Sequence, residues 1–238
     1  MLLFALPTLG SSALQSLNGS INAVWVGRFL GEEALAATAN GNILMFILIS
    51  FVFGFGMAAT ILIGQAMGRR NDTMVKRTMG TALGSIIPIS ILVSAIGWLF
   101  APLLLNLLGT PASAVELALT YLRMIFVAMP VTLTFTLIMM ALRGTGDSTT
   151  PLWFIIISVI IDLILTPVLI LGIGPFPEWG IFGSAFATAV ANALALIGMI
   201  VTMYLRGSVL TLKLPELRFL RADRDILKSM FSKGLPMG

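Results

Sequence analysis

Asp162 stands in a stretch that is otherwise free of charge from Ser148 to Pro177. No Lys or Arg lies within two helical turns of it. Burying a carboxylate at mid-membrane costs at least about 2.5–3.5 kcal/mol on insertion scales, which makes such a residue a functional candidate. It can bind and release a proton, or ligate a cation. It can also remain protonated and hydrogen-bonded as part of the framework. Its neighbours at helical spacing, Ser158 and Thr166, are polar. Two more polar stripes share that period: Ser11, Gln15, Asn18 and Asn22, then Ser184, Thr188 and Asn192. Residues so spaced share one helix face. One such stripe can serve as interhelical glue, contributing about 0.6–2 kcal/mol per hydrogen bond. Three in one bundle predict a polar, hydrated cavity between the helices that carry them.

Other chemistry has few residues to work with. The chain contains no His and no Cys, so it offers no disulfide and none of the usual zinc or haem ligand sets. A lone intramembrane acid leaves paired acid–base and metal catalysis without candidates. The expectation is a protein that is not an enzyme, with no metal site and no cofactor beyond a coupling ion.

The elements that hold these residues follow from composition. Of 238 residues, 58% are hydrophobic and 10% charged, against about 25% charged in soluble domains. The mean hydropathy is +1.04. An all-α integral membrane protein is expected, and a soluble enzyme, a disordered chain or a nucleic-acid binder is excluded. A membrane helix needs about 20 mostly apolar residues. The uncharged runs place helices near 3–28, 36–66, 78–108, 116–142, 151–173 and 180–205, with residues 1–206 forming a six-helix unit. The apolar start at Met1 lacks the basic region of a cleaved signal peptide. It reads as the first membrane helix, with an expected N-terminus further upstream.

Short Gly- and Pro-rich links join these spans, the first being Gly31-Glu32-Glu33. All Lys and Arg residues except Arg28 and Arg123 fall on one side of the resulting topology. The positive-inside rule makes that side cytoplasmic, with both termini there and the chain in the cell's inner (plasma) membrane. Arg123, near the start of the fourth helix, is placed to snorkel to the outer surface. Residues 207–238 form a basic cytoplasmic linker and the start of a seventh helix capped by Asp223. The linker reads either as an amphipathic segment on the inner leaflet or as a solvated loop. Gly80-x-x-x-Gly84 reads as a site of close helix packing, and Pro130 and Pro167 as kinks. Leu235-Pro236-Met237-Gly238 echoes Leu6-Pro7-Thr8-Leu9-Gly10, as if a second unit were beginning.

Four stretches resemble the N-terminal half of the multidrug and toxic compound extrusion (MATE) transporters. They are Leu6-Pro7 with Asn22 to Arg28 and Leu35-Ala36-Ala37; Gly64-Gln65-Ala66-Met67-Gly68-Arg69; Ala141 through Pro151; and Asp162 through Pro167 with Gly172, Pro177, Gly180 and Gly183 to Thr188. The resemblance implies one six-transmembrane-helix lobe of a twelve-helix exporter with two pseudo-symmetric lobes. It implies export of cationic and amphipathic drug-like compounds in exchange for protons or sodium ions. Some members carry an Asp in the first helix and another in the fifth. Asp162 matches the second, and Asn22 stands at the first. An amide does not exchange protons at physiological pH, so any charge change in this lobe falls to Asp162, with Asn22 a ligand beside it. Gln15, Asn18, Ser158, Thr188 and Asn192 would line the cavity.

The leading expectation is therefore a half-length ion-coupled antiporter. Its partners would be small drug-like molecules, membrane lipids and a missing C-terminal lobe or a second copy, with no nucleic acid. The alternatives are a lipid-linked substrate flippase of the wider superfamily and a non-transporting structural fragment.

Overall fold

The structure, a computed structural model, describes residues 2–234; the echo at Leu235 to Gly238 lies outside them. The described residues form helices and connecting turns, with no strand. The first element, α1 (Leu2–Gly68), is two helical arms meeting at Gly31. There φ is 86° and ψ −175°, a region only glycine occupies readily. The expected link Gly31-Glu32-Glu33 is thus a single residue. Glu32 and Glu33 belong to the first turn of the second arm, where acids suit the positive end of the helix dipole.

Next come α2 (Asp72–Leu107), α3 (Val115–Gly144), α4 (Thr149–Leu171) and α5 (Gly180–Leu205). Among the described residues these four are long and apolar enough to cross a membrane. The uncharged run placed the third helix near 78, yet α2 begins at Asp72. The Asn71 side chain accepts from Met74 N at 2.9 Å and starts the helix there. Lys76 and Arg77 are helical but charged, so a search for uncharged residues stops short of the true helix end.

Helix α3 runs through the middle of the bundle, packed against α1, α2 and α5, while α4 packs against α5 and α1. Its segment from Leu137 to Leu142 is buried on every side, as befits a helix that is apolar all round. Pro130 and Pro167 both lie inside helices, α3 and α4.

The linker is docked on the bundle. Leu210, Thr211 and Leu212 are buried, and Tyr204 Oη donates to the Leu212 carbonyl at 2.8 Å. A 3-10 helix (Leu214–Leu220) then runs along the start of α2. Gly80 and Gly84 do allow a close approach, but the partner is this segment. A Cβ on Gly80 would sit 2.7 Å from the Phe219 backbone, and one on Gly84 would overlap the Leu220 carbonyl. Two ion pairs flank the seat, Lys76 to Glu216 at 2.7 Å and Arg77 to Asp223. The Lys76 bond and the Lys213 backbone N–H hold the Glu216 carboxyl below its ordinary range. The Arg77 hydrogen bond does the same for Asp223. Asp223 Oδ1 also accepts from the Asp225 and Ile226 backbone N–H groups and caps α6 (Arg224–Gly234). That helix buries Ile226 and Met230 and sets Phe231 edge-on to Phe55 of α1.

Candidate functional site

The three polar stripes converge. The first arm of α1 carries Asn18 and Asn22, α4 carries Ser158, Asp162 and Thr166, and α5 carries Ser184, Thr188 and Asn192. Asp162 is 2% exposed and accepts four hydrogen bonds. Asn18 Nδ2 and Asn22 Nδ2 reach Oδ2 at 2.7 and 2.9 Å. Thr188 Oγ1 and Thr166 Oγ1 reach Oδ1 at 3.0 and 3.2 Å. Every bond is one a carboxylate can accept, so the cluster surrounds the buried acid with dipoles instead of a cation. The second Asn22 N–H points to Thr188 Oγ1 at 3.4 Å, so α1 and α5 are also tied directly.

A second node lies beside it. Ser158 Oγ donates to Asn192 Oδ1 at 3.0 Å, and Asn192 Nδ2 donates to Thr132 Oγ1 of α3 at 3.4 Å. Both nodes border a cleft of two adjoining chambers, of about 340 and 290 Å³. Gln15, Asn18, Thr132, Thr188 and Asn192 line both chambers; Asn22 and Ser184 line the first and Ser158 the second. Asp162 lines neither. It stands one layer back, behind Asn18, Asn22 and Thr188, with the fully buried Thr166 on its far side. Ser11 takes no part: its hydroxyl returns to the Pro7 carbonyl at 2.7 Å. Asn18 Oδ1 is buried and has no hydrogen-bond partner among the described residues.

Several lining residues lay outside the expected set. Tyr121, Ile125, Ala128 and Thr132 of α3 share the first chamber with Thr38 and Asn42 from the second arm of α1. Their spacing is helical and could have revealed a fourth stripe. Thr136 lines the second chamber and Thr134 lies alongside, both bonded to carbonyls of their own helix, and they obscure the pattern. Arg143, expected in a link between spans, belongs to α3 and lines the second chamber. The cleft is therefore not free of cations.

The MatE family profile matches residues 7–168. The chain belongs to the MatE family. It is 37% identical over 236 residues to the probable multidrug resistance protein YoeA of Bacillus subtilis (strain 168), covering 99% of this chain and 51% of that protein. It is 32% identical over 204 residues to an FAD transporter of Shewanella oneidensis, covering 86% and 44%. A crystal structure of MATE in the bent conformation superposes with a TM-score of 0.88 at 21% identity, covering 99% of this chain and 51% of that one. The chain thus spans about half the length of the curated relatives it matches. MatE proteins are membrane transporters rather than enzymes, in keeping with the apolar helices α2 to α5.

Proposed function

We propose that the chain is one six-helix lobe of an ion-coupled multidrug antiporter, with the two arms of α1 and helices α2 to α5 as its spans. The lobe works with a second lobe, or a second copy of itself, in the inner membrane, with both termini cytoplasmic. The observation that carries this reading is the set of four donors around Asp162. A negative Asp162 holds Asn18 and Asn22 of α1 and Thr188 of α5 in one arrangement. When a proton binds Asp162, or a sodium ion draws its oxygens away, an accepting position is taken and the donors that face it must rearrange. The unpartnered Asn18 Oδ1 supplies the alternative: turning that amide over lets it accept from a protonated Asp162. Because Asn18 and Thr188 line both chambers, the ionic state of the buried acid changes the wall that a cationic or amphipathic drug touches.

Arg143 favours a second reading. A guanidinium in the second chamber suits compounds with an anionic group, as the flippase alternative requires, and one relative is named an FAD transporter. Competition separates the two readings. Ethidium efflux that FAD does not inhibit supports the cationic class, and inhibition by FAD but not by lipophilic cations supports the other. The coupling proposal itself is tested with Asp162→Asn in the transporter that contains this chain. Efflux is expected to fall to the level of cells without the transporter while the protein still reaches the membrane. Undiminished efflux removes Asp162 from the mechanism.

A further inference from the structure

A second pocket, of about 400 Å³, lies away from the cleft and is bordered by Trp98, Glu116, Thr120, Arg123, Val127 and Phe182, among others. On α3, Glu116, Thr120, Arg123 and Val127 form one stripe at helical spacing. Tyr121, Ile125, Ala128 and Thr132 line the cleft from another face of the same helix. The pocket wall is apolar and outward-facing: Val127 is 57% exposed and Trp98 41%. Arg123 lies with its guanidinium carbon 4.6 Å from the centre of the Trp98 ring. Its Nε is buried without a hydrogen-bond partner, and no ion pair joins it to Glu116 among the described residues. A guanidinium stacked on an aromatic ring keeps its N–H edge free for a planar or tetrahedral anion.

Depth identifies the anion. Helix α3 has 30 residues and is about 45 Å long at 1.5 Å per residue. A hydrocarbon layer of about 30 Å leaves about 7 Å outside at each end. The Arg123 backbone, about 12 Å from the start of α3, then lies about 5 Å inside the hydrocarbon. Helical side chains lean toward the N-terminus, so the guanidinium is lifted to headgroup level. Thr120 stands one turn nearer the surface and Glu116 two. From the membrane outward the pocket therefore offers an apolar wall, a cation, a hydroxyl and an acid.

We propose that this pocket binds a phospholipid with a primary-amine headgroup, of the phosphatidylethanolamine type, in the leaflet facing the start of α3. Arg123 and Thr120 hold the phosphate, Glu116 accepts from the ammonium, and acyl chains lie on Trp98 and Val127. Choline headgroups lack N–H donors, and glycerol headgroups lack the cation that Glu116 requires.

The test is native mass spectrometry of the delipidated full chain, titrated with phosphatidylethanolamine, phosphatidylcholine and phosphatidylglycerol of matched acyl chains. The ethanolamine lipid is expected to be retained at least about tenfold better than the others. Arg123→Gln is expected to remove that retention, and Arg123→Lys to keep most of it. Glu116→Gln is expected to abolish the advantage over phosphatidylglycerol while leaving phosphate-dependent binding intact. Should Arg123→Gln fail to fold, the Glu116→Gln comparison decides alone. Equal retention of all three lipids by the unmodified chain would overturn the proposal. So would an unchanged preference in Glu116→Gln, or displacement of the lipid by millimolar inorganic phosphate.

Discussion

Asn22 Nδ2 lies 2.9 Å from Asp162 Oδ2 and 3.4 Å from Thr188 Oγ1, so one amide on α1 spans both the acid of α4 and the hydroxyl of α5. Asn22→Leu removes both bonds and leaves Asp162 short of a donor. Interhelical hydrogen bonds in membranes average about 0.6 kcal/mol, and bonds to a charged group are stronger, so a loss of about 1–2 kcal/mol is expected. Thermal unfolding in detergent should show a lower midpoint for Asn22→Leu, with Asn22→Gln nearer the unmodified chain.

Thr188 separates the hydroxyl from its shape. Thr188→Val keeps the volume and loses the donor to Asp162 Oδ1, whereas Thr188→Ser keeps the donor. Efflux driven by an imposed ion gradient should fall about tenfold in Thr188→Val, matching the loss of a charge-assisted bond. Recovery in Thr188→Ser is expected. Equal activity in both variants would show that the hydroxyl is not used.

The Gly84 seat predicts an undocked linker. Any side chain there meets the Leu220 carbonyl, so Gly84→Leu should push the 214–223 segment off α2. Limited trypsin digestion reads this directly, because Arg218 and Arg221 lie in the segment and are exposed. Cleavage at these two sites should rise about tenfold, since local opening controls proteolysis when reclosing is fast.

Acid should undock the same segment. The carboxyls of Glu216 and Asp223 are held below their ordinary range by Lys76 and Arg77. A depressed folded-state value contributes stability that is present above the ordinary carboxylate value near pH 4 and lost as pH falls through the depressed value. Amide hydrogen exchange across 214–223, corrected for intrinsic rates, should therefore be flat above about pH 5 and accelerate below about pH 4. The double variant Glu216→Gln, Asp223→Asn should exchange fast at both ends of that range.

Patterns that depend on periodicity were legible in the sequence. Asp162, the stripes of α1, α4 and α5, and the ends of α5 all follow from polar residues recurring against apolar ones. What was not legible depends on tertiary contact. Gly31 looks like any loop glycine until its backbone angles show two arms joined by one residue. Gly80 and Gly84 advertise a close approach without naming the partner, which is the linker's own backbone. Thr132 and Tyr121 matter because α3 turns that face to the cleft, and the apolar Ile125 and Ala128 between them keep the stripe from standing out. That Asp162 sits behind the wall rather than in it follows from the reach of Asn18 and Asn22, which only coordinates reveal.

In the proposed mechanism a bound drug and the ionic state of Asp162 are linked through Asn18, Asn22 and Thr188. The most direct measurement is proton release, or release of bound sodium ion, when ethidium is added to the purified transporter containing this chain in weakly buffered detergent. A stoichiometric release is expected, and it should disappear in Asp162→Asn while ethidium still binds. Release of equal size in Asp162→Asn would show that the acid is not linked to drug binding.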